Sequence, residues 1–278
     1  MRRRSALTNK KKWLALPYFV WMVGFTLIPL VLIAVYGLTE RGSGAFTLSN
    51  VLSIFQEEHL RALILSLVLS VICTLVCLLI AYPVALILRR AKVKKSGFVI
   101  FIFILPMWMN FLLRTYAWLN LLDDGGLIFT ALKALGFQGN IIGTNGAVLL
   151  GMVYNYLPFM ILPLYNSLTA IDDQVLNAAR DLGANERKVL TRVIFPLSFP
   201  GVVSGITMVF VPSLTTFVVS DLLGGRKILL IGNIIESEFS IASNRHVGAG
   251  LSLVLMIFIL ISMAILNHYD KTGEANAI

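Results

Sequence analysis

The chain has 278 residues, 58% of them hydrophobic and 13% charged, with a net charge of +9. A soluble fold of this size needs far more charged surface, so the composition excludes one and requires lipid as solvent. The positive charge does not indicate nucleic acid, because the basic residues sit at the borders of apolar runs, where anionic lipid headgroups account for them.

A helix that spans about 30 Å of hydrocarbon needs roughly 20 apolar residues. Such runs fall at 13–37, 60–88, 98–121, 146–168, 200–222 and 248–267. They are continuous, whereas barrel strands alternate polar and apolar residues. The predicted fold class is therefore an all-α polytopic membrane protein with six transmembrane helices.

Residues 1–12 form a basic N-terminus with Arg2, Arg3, Arg4, Lys10, Lys11 and Lys12. The run behind them exceeds a signal-peptide core, and Ala34-Val35-Tyr36 makes a poor cleavage site, so 13–37 reads as a retained helix. The second run carries Ser66, Ser70, Cys73, Thr74 and Cys77 at three- and four-residue steps, a small-residue stripe that should face protein. Cys73 and Cys77, one turn apart, read as apolar packing rather than as a disulfide or metal site. In the third run Asn110, Arg114 and Trp118 share a face, and Arg114 is assigned a structural role through carboxylate or carbonyl partners.

Asp123-Asp124-Gly125-Gly126 and Gly224-Gly225 each reverse the chain before a short amphipathic stretch. Gly201 and Gly205 open the fifth run with a spacing that permits close helix approach. Pro29, Pro83, Pro106, Pro158, Pro163 and Pro212 predict kinks or local unwinding. Basic residues cluster before the first run, from Arg89 to Lys95, and at Arg180, Arg187, Lys188 and Arg192. The positive-inside rule makes these segments and both termini cytoplasmic, and 38–59, 122–145 and 223–247 external.

The cytoplasmic segment between the fourth and fifth runs is dense in helix signals. Asp172 or Asp173 can cap a helix and complement its positive end, and Gly183 suits the left-handed residue that closes it. A second short helix is expected to run to Pro196. Val175, Leu176, Ala179 and Leu182 recur at helical spacing, and small Ala178 leaves room for another surface, which makes this a docking helix.

The segment resembles the cytoplasmic signature of ABC importer inner-membrane permeases, with matches at Ala178, Ala179, Gly183, Val193, Phe195 and Pro196. Asn177 stands where that family usually has Glu, so it cannot make the same charge-assisted contact. The segments 154–165, 177–201, 219–225 and 228–235 resemble the polyamine (spermidine and putrescine) branch. The resemblance implies a type I permease domain over 60–267 with a coupling loop at 169–199, followed by a tail at 268–278. Asn177, Ala178, Ala179, Arg180, Asp181, Gly183 and Pro196 would form the ATPase-coupling loop. It further implies a second homologous permease, a cytoplasmic ATPase dimer that binds ATP and Mg, an extracytoplasmic polyamine-binding protein, and a multi-pass place in the bacterial cytoplasmic membrane.

For a cationic cargo, the expected pathway residues pair a carboxylate with aromatic faces. Asp221, Phe217 and Phe210 fall on roughly one face at the end of the fifth run, and Tyr116, Trp118 and Tyr154 are candidate stacking partners. Glu57, Glu58, Asp123, Asp124, Glu236 and Glu238 could attract dications from outside. His59, His246 and His268 lack zinc spacing or a neighbouring nucleophile. No phosphate-binding Gly-x-x-x-x-Gly-Lys-Ser/Thr loop is present, so the chain is read as a non-enzymatic subunit that binds no cofactor itself. The alternatives are an importer permease for iron, sulfate or an opine, and a stand-alone secondary transporter, which would be expected to show inverted repeats.

Overall fold

The computed structural model describes residues 16–90, 105–136, 138–240 and 244–275. Among these residues the structure is helical, and one isolated bridge pairs Thr39 with Phe46. In chain order the helices are α1 (Pro17–Gly37), α2 (Glu57–Arg90), α3 (Phe111–Leu122), α4 (Leu127–Ala134), α5 (Asn145–Ala170), α6 (Asp173–Asp181), α7 (Glu186–Leu214), α8 (Val218–Leu223), α9 (Ile231–Ser240) and α10 (Arg245–Ala275). Among the described residues, five helices are long and apolar enough to cross a membrane: α1, α2, α5, α7 and the Arg245–Leu266 part of α10.

The third apolar run is not one helix. Its first residues, 98–104, lie outside the described ones, and the helical residues from Leu105 to Trp108 stop at Met109–Asn110. Asn110 takes extended backbone and accepts from Leu112 N and Leu113 N, so it caps α3 rather than sharing a face with Arg114 and Trp118. The fifth run also differs. Its helix begins at Glu186 and ends at Leu214, and Val218–Leu223 is a separate short helix.

Pro196 does not end a helix as expected. Leu190–Ile194 is a π turn in which Phe195 N donates to Leu190 O, and Pro196 follows in the first turn of the next α-helical stretch. The wider turn places the proline where no intrahelical donor is required. The same device recurs in α1, where the π turn Val23–Leu27 precedes Pro29. At the other end of the chain, α10 continues helical to Ala275, past the tail boundary expected at 268.

The chain divides into two compact units. In the first (Met1–Glu57 and Ile235–Ile257) the turn after α1 is held by polar contacts: Asn50 Nδ2 donates to Thr39 O (2.9 Å), and His246 Nδ1 lies 2.7 Å from the same carbonyl and 3.0 Å from Tyr36 O. Both neighbours of that nitrogen are acceptors, so Nδ1 carries the proton. Large apolar side chains of α1, such as Tyr18 and Phe25, are exposed.

The second unit (Glu58–Ile234 and Phe258–Ile278) is built on α2, α5 and α7. Lipid is as apolar as a leucine side chain, so packing here depends on close contact rather than on escape from water. The small stripe of α2 provides that contact: Ser66, Ser70, Cys73, Thr74 and Cys77 are all buried. Between α5 and α7 the approach is closer still. A Cβ on Gly201 would lie 2.5 Å from Ser167 Cβ and 2.9 Å from Pro163 O, and one on Gly205 would lie 2.6 Å from Met160 Sδ.

Candidate functional site

The 169–199 segment forms a hook between α5 and α7. Asp172 has extended backbone and its Oδ1 accepts from Gln174 N (2.9 Å), which starts α6. At the other end Gly183 is left-handed (φ 81°), with Gly183 N donating to Arg180 O (2.8 Å) and Ala184 N to Ala179 O (3.1 Å). This pair of bonds is the Schellman closure that only a residue free to take positive φ makes without strain. Asn185 then caps α7 by accepting from Lys188 N (2.9 Å), so the chain reverses in a few residues and re-enters a helix.

The four apolar residues expected to dock together separate into two faces. Leu176 and Ala179 turn inward against the core of the second unit, with Val189 and Ile194 beside them in that cluster. Val175, Ala178 and Leu182 face out, Leu182 being 89% exposed. The outward face is therefore apolar at its centre and charged around it.

Ion pairs tie the hook to the end of α2. Arg89, whose side chain is 10% exposed, donates to Ile171 O (2.9 Å) and to Asp173 Oδ1 (3.3 Å). Glu186 bridges two helices, accepting from Arg180 Nε on Oε1 (2.8 Å) and from Arg90 Nη2 on Oε2 (3.3 Å). The bonded Arg180 guanidinium, with Arg90 beyond it, holds the Glu186 carboxyl below the usual glutamate range, and Glu186 in turn raises Arg180. Asn177 Oδ1 accepts from Arg180 Nη1 (3.1 Å), so a neutral side chain extends the same network. A depression of about 580 Å³ opens here, lined by Arg89, Arg90, Asp173, Leu176, Asn177 and Arg180. Pro196 lies farther along α7, beside Phe195, whose ring packs on Tyr82.

The expected pathway residues are only partly brought together. Trp118 and Tyr154 meet edge to face with ring centroids 5.3 Å apart. Tyr116, two residues from Trp118 on α3, points to the opposite side and is exposed. Phe210 belongs to α7, Phe217 to the break at Thr215–Phe217 and Asp221 to α8 beyond it, so the three are not stacked on one helix. Asp221 is half exposed and lies 3.8 Å from Arg226.

The break is shaped by residues that sequence reasoning passed over. Tyr156 donates to Pro212 O (3.1 Å), a carbonyl at the end of α7. Asn233 accepts from Ser220 Oγ and from Leu230 N and donates to Phe217 O, while Ile231 N donates to Ser66 Oγ (2.8 Å). The last of these bonds hold the start of α9 against α8, the break before it and α2. Arg89 and Arg90 were likewise visible in the sequence only as charges, because their partners Asp173 and Glu186 lie tens of residues away.

Residues 78–272 match the model of a family described as binding-protein-dependent transport system inner membrane component. The chain is 39% identical over 266 residues to the spermidine/putrescine transport system permease protein PotB of Haemophilus influenzae, covering 93% of this chain and 92% of the relative. It is 36% identical to PotB of Escherichia coli, over 85% of this chain and 89% of that protein. Among solved structures, a bacterial ABC transporter involved in import of the acidic polysaccharide alginate superposes with a TM-score of 0.80 at 17% identity, over 97% of this chain and 99% of that one. The inward-facing MetNI methionine ABC transporter gives 0.60 at 18% identity, over 77% and 95%. At these identities the two structures speak for the fold alone.

Proposed function

Because the chain belongs to the family of binding-protein-dependent transport system inner membrane components, we propose that it is a transmembrane permease subunit of an ATP-driven importer for polyamines. The observation that carries this reading is the match to PotB along nearly the full length of both chains. The chain is an inner-membrane, multi-pass protein. In the proposed arrangement six helices span the bilayer with both ends in the cytoplasm, the hook at 169–199 faces the cytoplasm, and residues 223–247 face outward.

The hook is suited to transmit force. Its outward face, Val175, Ala178 and Leu182, would seat in an ATPase dimer that binds ATP and Mg. Its Schellman closure and the Arg89 and Glu186 ties make it move as a body with α2 and α7. Closure of the ATPases would then swing these helices and open the pathway outward, and hydrolysis would reset it, a two-state rigid-body motion. A second homologous permease would complete the pathway, and an external polyamine-binding protein would deliver cargo.

Along that pathway Trp118, Tyr154 and Phe217 offer aromatic faces, with Phe210 and Tyr116 as further candidates. Cation–aromatic contacts contribute about 0.5 to 2 kcal/mol each, enough to guide an ammonium chain and still release it. Asp221 can exchange its loose, exposed contact with Arg226 for a cargo ammonium group. The test is uptake of labelled spermidine and putrescine by cells carrying the whole system, wild type against Asp221→Asn at equal membrane levels. A selective loss with intact assembly supports the pathway, whereas failure of both polyamines to enter with the wild type refutes the cargo.

A further inference from the structure

Arg114 on α3 is 6% exposed, and its Nε and Nη1 reach no hydrogen-bond partner among the described residues. Asn155, on the facing helix α5, does not neutralise it. Its amide orientation is set, since Nδ2 donates to Gly151 O (2.9 Å) and to Thr115 Oγ1 (3.5 Å), while Thr115 Oγ1 itself donates to Phe111 O (3.0 Å). The Oδ1 left over is also unbonded, and as a neutral group it could serve a hydrogen bond but not a charge.

Among the described residues no acid pairs with Arg114 Nε or Nη1. Of the 14 acids, Glu57, Glu58 and Glu186 stand at the first residues of α2 and α7, Asp173 and Asp181 at the ends of α6, Asp221 in the short α8, Glu236 and Glu238 in α9, and the others in connections or in the last turns of α10; Asp221, on a helix packed against α3, has its ion contact with Arg226. The acids nearest in sequence, Asp123 and Asp124, are exposed and stand roughly 13 Å farther along the helix at about 1.5 Å per residue. A guanidinium stays charged in a protein, and ionisable groups within a membrane pair with one another or with backbone carbonyls. Beside Arg114 the outer surface of α3 and the turn before it is apolar and, among the described residues, exposed at Met109, Leu112, Leu113 and Tyr116.

We infer that in the assembled transporter this face of α3 packs against the second permease subunit, which presents a carboxylate to Arg114. The inference rests on the importer reading, which supplies that subunit. Arg114 lies in the first turn of α3, after the break at Met109–Asn110, and a lipid phosphate as its partner would leave recovery of the second permease unchanged in Arg114→Gln. Nε and Nη1 are closed over in the single chain, so their pairing forms as the partner docks and α3 shifts at the break at Met109–Asn110 that precedes it.

The test uses the full transporter, purified through a tag on this chain, and measures how much second permease accompanies it at equal membrane levels. Arg114→Gln and Arg114→Glu are expected to lower that recovery by about tenfold or more, as for a buried charge left unpaired at an interface. Replacing one membrane-embedded Asp or Glu of the second permease by Arg should restore recovery in the Arg114→Glu background. Should Arg114→Glu fail to reach the membrane, Arg114→Gln alone decides. Wild-type recovery with Arg114→Gln overturns the pairing and leaves a water or a free anion as the occupant, and absence of any single restoring reversal overturns it as well. A wild-type chain that recovers no second permease at all refutes the importer reading instead.

Discussion

Replacing Gly183 by Ala isolates the closure of the hook from everything else in it. The residue has φ 81°, and a Cβ built there meets nothing within 4 Å, so the substitution adds no clash and its whole cost is backbone strain. A left-handed L-residue costs about 1 to 2 kcal/mol, which is a factor of roughly 5 to 30 in the population of the closed turn. Hydrogen exchange in the assembled transporter should read this directly, with the amides of Gly183 and Ala184, both bonded in the closure, exchanging roughly 5 to 30 times faster when strain opens the turn. Uptake per ATP hydrolysed should fall by no more than that factor. Asn, which tolerates positive φ better than Ala, should fall between Gly and Ala. Gly136→Ala is the control: it has φ 90° and the same open space but follows α4, so it should leave coupling untouched. Unchanged exchange at these amides in Gly183→Ala, or equal loss of coupling in Gly136→Ala, would refute the reasoning.

Gly201→Val should destabilise the α5–α7 contact by about 1 to 3 kcal/mol, because the obstructing atoms are Ser167 Cβ and the Pro163 carbonyl, which cannot swing away. The detergent-solubilised protein should melt several degrees lower, while Gly24→Ala, with nothing within 4 Å, should not; equal melting temperatures would count against the packing. The Glu186 carboxyl is held below its ordinary range of 4.5 by Arg180, so its contribution is fully present at neutral pH and lost as pH falls through the depressed value. The matching rise at Arg180 has no consequence below about pH 12, where an arginine is always charged. Glu186→Gln should therefore loosen the hook at pH 7 and remove that part of the acid dependence of coupling; a variant with the wild-type acid limb would contradict this.

Much of the fold was legible because it depends on local properties. The runs at 13–37, 60–88, 146–168 and 248–267 fall on the helices at 17–37, 57–90, 145–170 and 245–266, and the small-residue stripe of α2 does face the core. The hook was legible for the same reason: a capping Asp, a run of helix formers and a glycine are chemical signals carried within a few residues. Apolarity alone could not show where a run is interrupted. It bridged Met109–Asn110 and Thr215–Phe217, because the residues on either side of each break are as greasy as the helices they join.

Sequence by itself therefore determined that this chain lives in a membrane and that a short helix closes at Gly183. Tertiary structure alone decided that Glu186 ties α6 to α2, that Asn233 holds the start of α8, that Asp221 stands apart from Phe210, and that Arg114 Nε and Nη1 lack a partner among the described residues. The physical reason is one of range. Hydropathy, caps and backbone freedom act over a few residues and are written where they act, whereas ion pairs and hydrogen bonds between helices depend on which faces packing brings together across tens of residues.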